Sequence, residues 1–468
     1  MAVSSPTPGA PLEVQWSDKT YGPDGPWPAV TVSIGQPAQS VDLFPAGYLA
    51  SNVFLPPLCA GLDGTAACTA TQAGWYNYNR SRTVNTTVSW SGQHGFMAPI
   101  PMSGSWSGVT DDITLPFAGS KSTTVPSSAL RISQDTYAVY PNNKYKINIG
   151  TLSLGGPVPV TNLSTVTPDV YFSAGLVPNF YANQDIIPSS SFALHIGSQA
   201  ITPPIPPSLF FGGYDASRIV GPTLQGDVDY VNSTVTIADV SIEDSAEYAR
   251  SGLVLSDASA TIPSPLRASV EPGQPYLVLP DSICQRLTEG LPLSYDPGLS
   301  LYLWNTSSPA YTSLCSSAAS LAFTLNTATS SNITVKVPFA LLTNLTLEPP
   351  LVDTARPYFP CFSASNGGGY SLGRAFLQAA LFGINWHTDT GLGLAVIAVI
   401  AIVLARRARW RKNADQYQQS QDEKRDAGMG AQPAPLETGG REIVSELQAE
   451  ELQHELQADR PKARFELE

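Results

Sequence analysis

The chain has 468 residues, enough for about two to three domains and a large core. Only 13% of its residues are charged, and 38 acids against 25 bases leave a net charge of −13. This balance argues against nucleic acid as a partner and suits a surface or acidic-compartment protein.

Residues 1–20 lack the basic start and apolar stretch of a signal peptide. An export signal is expected ahead of Met1, with an internal signal-anchor as the alternative. Residues 21–200 are rich in β-branched residues, Ser, Gly, Pro and aromatics. Short alternating runs such as Ala29–Ile34 and Lys144–Leu152 predict strands. Ile201–Ser208 is too Pro-rich for regular structure and reads as a connection. In Ser208–Gly221, Leu209–Phe211 predicts a short buried strand and Gly212-Gly213 a tight turn, with Asp215 or Ser217 bonding the backbone beyond it. A second β-rich stretch runs from about Asp227 to Phe382, with a short helix expected at Pro280–Leu287. The fold class is mostly β, in two lobes, 21–200 and 201–390.

Gly391–Ala405 is an apolar run without a charge, followed by Arg406, Arg407, Arg409, Arg411 and Lys412. The basic flank predicts one transmembrane helix in contact with membrane lipid over 391–405, or from about Trp386, with 406–468 cytoplasmic and mostly disordered. The alternative for the same residues is a buried strand. In the tail, Ile443, Leu447, Leu452 and Leu456 recur at near-helical spacing. They predict a transient helix or a docking site for a cytoplasmic partner.

Five cysteines, Cys59, Cys68, Cys284, Cys315 and Cys361, are read as belonging to an oxidising compartment, with buried free thiols as the alternative. Asn79, Asn85, Asn162, Asn232, Asn305, Asn332 and Asn344 head N-x-Ser/Thr sequons, all ahead of the apolar run. They are the expected glycosylation sites.

Several segments resemble pepsin-type aspartic proteases, in family order over residues 20–390. Tyr21–Gln39 is similar to that family's first strands, and Ser208–Gly221 to its inter-lobe "fGGyD" segment. Tyr276–Leu287 is similar to the segment past the second active-site turn, and Tyr370–Phe382 to the closing "LG..FL" segment. The layout is most similar to fungal membrane-anchored members. The resemblance implies a bilobal pepsin-like fold and a Cys59–Cys68 loop. By position, Cys315 then pairs with Cys361 and leaves Cys284.

The activity implied by the resemblance needs two carboxylates, one per lobe, sharing a proton on Asp-Thr/Ser-Gly turns. In the first lobe, Val41–Pro56 matches, yet Pro45-Ala46 occupy the acid slot ahead of Gly47. Asp42, three residues upstream, would lie about 10 Å along the strand and on its other face. In the second lobe, Glu271-Pro272-Gly273-Gln274 replaces the motif, and Glu271 is a degenerate remnant with one extra methylene. Asp389-Thr390-Gly391 lies after the closing segment and is a decoy. Pro101–Leu115 resembles the flap hairpin, with the flap Tyr position near Pro101 or Met102. The four histidines, His94, His195, His387 and His454, show neither metal spacing nor a triad. No metal and no cofactor is expected.

The expectation is a catalytically degenerate pepsin-like ectodomain, a pseudoprotease whose cleft holds an extended peptide or a cell-surface glycoprotein. One alternative is a weak acid endopeptidase pairing Asp42 with Glu271. Another is a surface sensor or adhesion module that signals through the tail.

Overall fold

The computed structural model describes residues 9–56, 70–87, 91–93, 102–119, 121–147, 149–156, 176–177, 186–219, 221–224, 233–245, 247–254, 265–326, 332–364, 369–386 and 393–396. Short strands dominate, as their alternating apolar residues require: Val30, Val32 and Ile34 are buried, with Thr31 and Ser33 half-buried between them.

Three sheets carry the architecture. The first lobe is an eight-stranded sheet whose members include Val30–Ile34, Gln39–Ala46, Ser51–Phe54 and Gly150–Ser153. Met102–Phe117 and Lys121–Val139 form its long hairpin. The second lobe is a seven-stranded sheet that includes Ser233–Glu243, Leu266–Val270, Leu277–Pro280, Cys361–Ala364 and Tyr370–Leu372. A six-stranded sheet draws from both ends of the chain. Its order is Leu12–Glu13, Ser208–Phe211, Ser191–His195, Ala380–Asn385, Gly393–Val396 and Thr223–Leu224.

Each lobe repeats one device. Gln39–Ala46 and Ser51–Phe54 are separated by a turn, and Gly150–Ser153 lies between them, parallel to the first and antiparallel to the second. Leu266–Val270 and Leu277–Pro280 are likewise separated by a turn, with Tyr370–Leu372 between them in the same two senses. The two turns, 47–50 and 271–276, therefore occupy corresponding places.

Several expectations meet corrections. A boundary at 200 falls inside the six-stranded sheet, between Ser191–His195 and Ser208–Phe211, which pair antiparallel. Within the expected separate segment 1–20, Leu12–Glu13 is instead a strand paired with Phe210 and Phe211, and residues 1–8 lie outside the described residues. Gly393–Val396, expected to lie in a transmembrane helix, is a strand in register with Ala380–Gly383 and with Thr223–Leu224. Apolar side chains suit a buried strand as well as a span, and unpaired backbone on Ala380–Asn385 decides for the strand. No helix among the described residues is long and apolar enough to cross a membrane. Residues 387–392 and 397–468, with the rest of the expected span, the tail, His387, His454 and Asp389, lie outside the described residues.

The Gly212 turn forms as expected. Its φ is +77°, and a Cβ there would meet Ile187 and Pro188. The described residues other than Asp215–Ile219 belong to one compact unit. Within Asp215–Ile219, the Ser217 N–H donates to the Asp215 carboxylate at 3.0 Å, opening a single 3-10 turn.

The cysteine pairing differs from expectation. Cys361 is bonded to Cys284, and Cys315 is a free, half-buried thiol. The reason is topological. Leu277–Pro280 runs parallel to Cys361–Ala364, and the helix Asp281–Thr288 follows directly and turns Ile283, Cys284 and Leu287 inward. Cys315 instead sits on helix Pro309–Ser316, beside Tyr311, whose hydroxyl is pushed up to about 12 by burial and then by that thiol. Cys59 and Cys68 lie outside the described residues.

The bond spans 77 residues, so Cys284→Ser is expected to lower unfolding stability by about 2–5 kcal/mol. Without reduction, Cys315 should be alkylated while Cys284 and Cys361 are recovered as one linked peptide. Recovery of Cys315 linked to Cys361 would contradict this pairing.

Candidate functional site

The strand Gln39–Ala46 ends directly before Gly47, and Leu266–Val270 ends directly before Glu271. Gly47, rather than Pro45, is thus the residue that stands opposite Glu271. Pro45, Ala46, Gly47 and Tyr48 carry no carboxyl group, so the first turn has no acid under either alignment.

Glu271 is buried, with 6% of its surface exposed. Its Oε1 accepts the Gly273 N–H at 2.7 Å, within its own turn, and the Gly47 N–H at 2.9 Å, from the other lobe. One oxygen therefore serves a donor from each turn. The turns approach so closely that a Cβ at Gly273 would lie 2.9 Å from the Ala46 Cβ. The Gln274 amide and the Tyr48 hydroxyl stand 3.5 Å apart across the same junction.

Arg374 is held beneath this junction by the backbone. The Arg374 N–H donates to Gln274 O at 2.6 Å and the Ala375 N–H to Pro275 O at 3.1 Å, which fixes the closing Arg374–Leu377 helix onto the second turn. Its guanidinium lies over Phe44, 4.3 Å from the ring centre, and 5.1 Å from that of Trp27. Its Nη2 is 4.0 Å from Asp24 Oδ1, which also accepts the Trp27 indole N–H at 3.0 Å.

Burial shapes the charges. It raises the Glu271 carboxyl above its ordinary value, opposed by the Gly47 and Gly273 N–H groups and by Arg374. It raises Asp24 as well, opposed by Arg374 and the Trp27 indole. Burial lowers the Arg374 guanidinium, opposed chiefly by Asp24.

Asp42 is placed differently from expectation. Rather than pairing with Glu271, it is buried, and its carboxylate accepts hydroxyls from Ser17, Tyr21 and Thr31. All three donors belong to the first lobe. The structure thus places Glu271 at the junction and engages Asp42 elsewhere.

The flap expectation is also corrected. Residues 102–117 form one continuous strand rather than a hairpin within 101–115, paired with Lys121–Val139 along its length and with Ser91–Gln93 at Ser105–Ser107. Residues 94–101, including His94, and the site of Trp90 lie outside the described residues. His195 is buried, with Nε2 3.2 Å from Gln378 O. Among the described residues no group of three or more His, Cys, Asp or Glu could hold a metal ion.

Sequence reasoning missed Asp24, Arg131 and Arg374. The one available signal was the Arg that follows Leu372-Gly373 in the closing segment, a charged residue in an otherwise apolar run.

No family model and no curated protein matches the chain. Among solved structures, it is similar to the crystal structure of an aspartic proteinase from Irpex lacteus. The TM-score is 0.51 at 17% identity, over 84% of this chain and 98% of that one. The likeness is one of fold, and the fold is pepsin-like.

Because Glu271 titrates higher folded than unfolded, ionising it costs stability as pH rises from its ordinary value of 4.5 through the folded value. Below both values it costs nothing. Glu271→Gln keeps an acceptor oxygen and removes the charge, so its stability relative to wild type is expected to improve as pH rises from about 4 to 7. Urea unfolding across that range measures the difference, and a difference independent of pH would contradict it. Glu271→Ala leaves the buried Gly47 N–H and the half-buried Gly273 N–H without this acceptor, and the Gly47 group alone is expected to cost about 1–3 kcal/mol at every pH.

Proposed function

We propose that this chain is a non-hydrolysing, pepsin-like binding protein whose cleft holds an extended peptide or a segment of a cell-surface glycoprotein. One observation carries the reading: a single carboxylate, Glu271, takes both turn N–H donors through one oxygen, and the facing turn offers no acid. Carboxyl-based peptide hydrolysis needs one ionised group to activate water and one protonated group to polarise the carbonyl. One carboxyl group cannot hold both states at once. It can still hydrogen-bond a peptide N–H when ionised or a peptide carbonyl when protonated.

The rival endopeptidase reading would require Asp42 to exchange its Ser17, Tyr21 and Thr31 hydroxyls for a place beside Glu271. The deciding assay is cleavage of a quenched-fluorescent peptide library by the protein and by Glu271→Gln, between about pH 3 and 7. The expected result is no turnover by either, with peptide binding retained. Turnover that disappears in Glu271→Gln would overturn the reading.

Export of the protein is part of the same proposal. It is supported by Asn79, Asn85, Asn305, Asn332 and Asn344, the five sequon asparagines among the described residues, all of which are exposed. At Asn85 the side-chain oxygen accepts the Thr87 hydroxyl two residues on. Asn162 and Asn232 lie outside the described residues. Endoglycosidase treatment of protein from a eukaryotic secretory host is expected to lower its mass, and Asn85→Gln to remove one step of that shift. An unchanged mass would count against export.

A further inference from the structure

Beside the two turns lies a cavity of about 330 Å³. Its walls are mainly apolar, among them Phe44, Phe54, Met102, Tyr145, Ile147 and Ile149. Two guanidinium groups, Arg131 and Arg374, interrupt that lining, together with the Asp24 carboxyl and the Asn52 amide. Arg374 is only 3% exposed. Asp24 faces its Nη2 at 4.0 Å, but its Nε and Nη1 are buried with no hydrogen-bond partner among the described residues. The Nε of Arg131 is in the same condition, with its guanidinium 4.6 Å from the centre of the Trp106 ring.

Buried charged donors without acceptors are costly and rare. Two on one apolar cavity mark a place where an acceptor is wanted. The negative groups near them are already engaged. Asp24 Oδ1 takes the Trp27 indole N–H, and Glu271 Oε1 takes Gly47 and Gly273. Burial, and then the Glu271 charge, push the Tyr48 hydroxyl well above its ordinary value, and both arginines oppose that rise, so their fields overlap at the first turn. A guanidinium pairs with a planar two-oxygen anion through parallel N–H donors, which a carboxylate matches.

We propose that this cavity receives a carboxylate carried on an apolar or aromatic body, with the carboxylate against Arg374 and Arg131 and the body against Phe44, Phe54 and Ile147. The proposal deepens the binding reading above and rests on it. It assigns the occupant of the cleft an acidic group, which is either the side chain of a bound peptide or a free organic acid.

Calorimetric titration of the full chain at neutral pH tests this with two matched pairs. One pair is 4-phenylbutyrate and its primary amide. The other is two acetylated, amidated octapeptides that differ only by Glu or Gln at one position. In at least one pair the acid is expected to bind about tenfold more tightly, as for a charge-assisted bidentate contact. Preference in the first pair alone identifies a free acid, and preference in the second a peptide side chain. Arg374→Met is expected to abolish the preference. Arg131→Met, at the less buried arginine, should reduce it, and it keeps the test decisive if Arg374→Met fails to fold by thermal melting. Equal binding of acid and amide in both pairs, or no binding of any probe to folded protein, overturns the proposal. Equal binding without cleavage leaves the non-hydrolysing reading standing. Cleavage of the octapeptides sinks that reading, and the acid preference is then read on Glu271→Gln.

Discussion

Two backbone N–H groups, Gly47 from the first lobe and Gly273 from the second, end on one carboxylate oxygen. A buried N–H requires an acceptor, and in a two-acid site each turn would supply its own. Here Glu271 supplies both. The longer side chain suits that task, since Glu carries its carboxylate one methylene farther from the backbone than Asp. The close contact of Ala46 with Gly273 brings the donors within reach of the same atom. The junction of the lobes and the state of the site are therefore a single constraint, and relocating the carboxylate would disturb both.

Arg374 extends that constraint into the core. Its backbone is fixed to Gln274, its side chain reaches Asp24 in the first lobe, and two aromatic faces cover it. A buried charge with one partner at 4.0 Å is poorly compensated, and removing that partner typically costs about 3–5 kcal/mol. Tyr358 donates to the Asp24 carbonyl, and Tyr140 and Tyr276 meet hydroxyl to hydroxyl at 2.9 Å. Polar groups held on both lobes thus keep the first-lobe segment Tyr21–Trp27 against the closing segment. This arrangement preserves the cavity wall on which the two arginines stand.

The elements that local pattern controls were legible in the sequence. Alternation located the strand Val30–Ile34, and Gly212 located a turn that only glycine accepts without strain. The missing first-lobe acid was equally plain, because no alignment of Pro45, Ala46 or Gly47 supplies one. What failed depended on distant partners. Cys361 meets Cys284 because two strands run parallel, a relation that spacing along the chain does not encode. Asp42 looked free until three hydroxyls from separate segments closed over it. The methylene that seemed to misplace Glu271 for chemistry instead suits it to bridge the turns. Gly393–Val396 shows the limit most clearly. Its apolar residues fit a membrane or a sheet, and only the open edges of Ala380–Asn385 and Thr223–Leu224 distinguish the two.

The same exclusion governs the acids as a set. Asp42 is surrounded by hydroxyl donors, and Asp111 likewise accepts from Tyr76 and Thr83. Asp24 is matched with a guanidinium. Asp42 and Asp111 are held by hydroxyls that satisfy both their oxygens, so moving either to the turns would strand those donors at about 1–3 kcal/mol each. Glu271 is the acid whose donors belong to the turns themselves. The unsatisfied groups on the adjoining cavity are the Nε and Nη1 of Arg374, the Nε of Arg131 and the Asn52 amide oxygen, and the charged ones among them are cationic. A catalytic dyad would concentrate negative charge at the turns. This site instead places unmet positive charge in an apolar wall, which is the physical basis of the proposed anion binding.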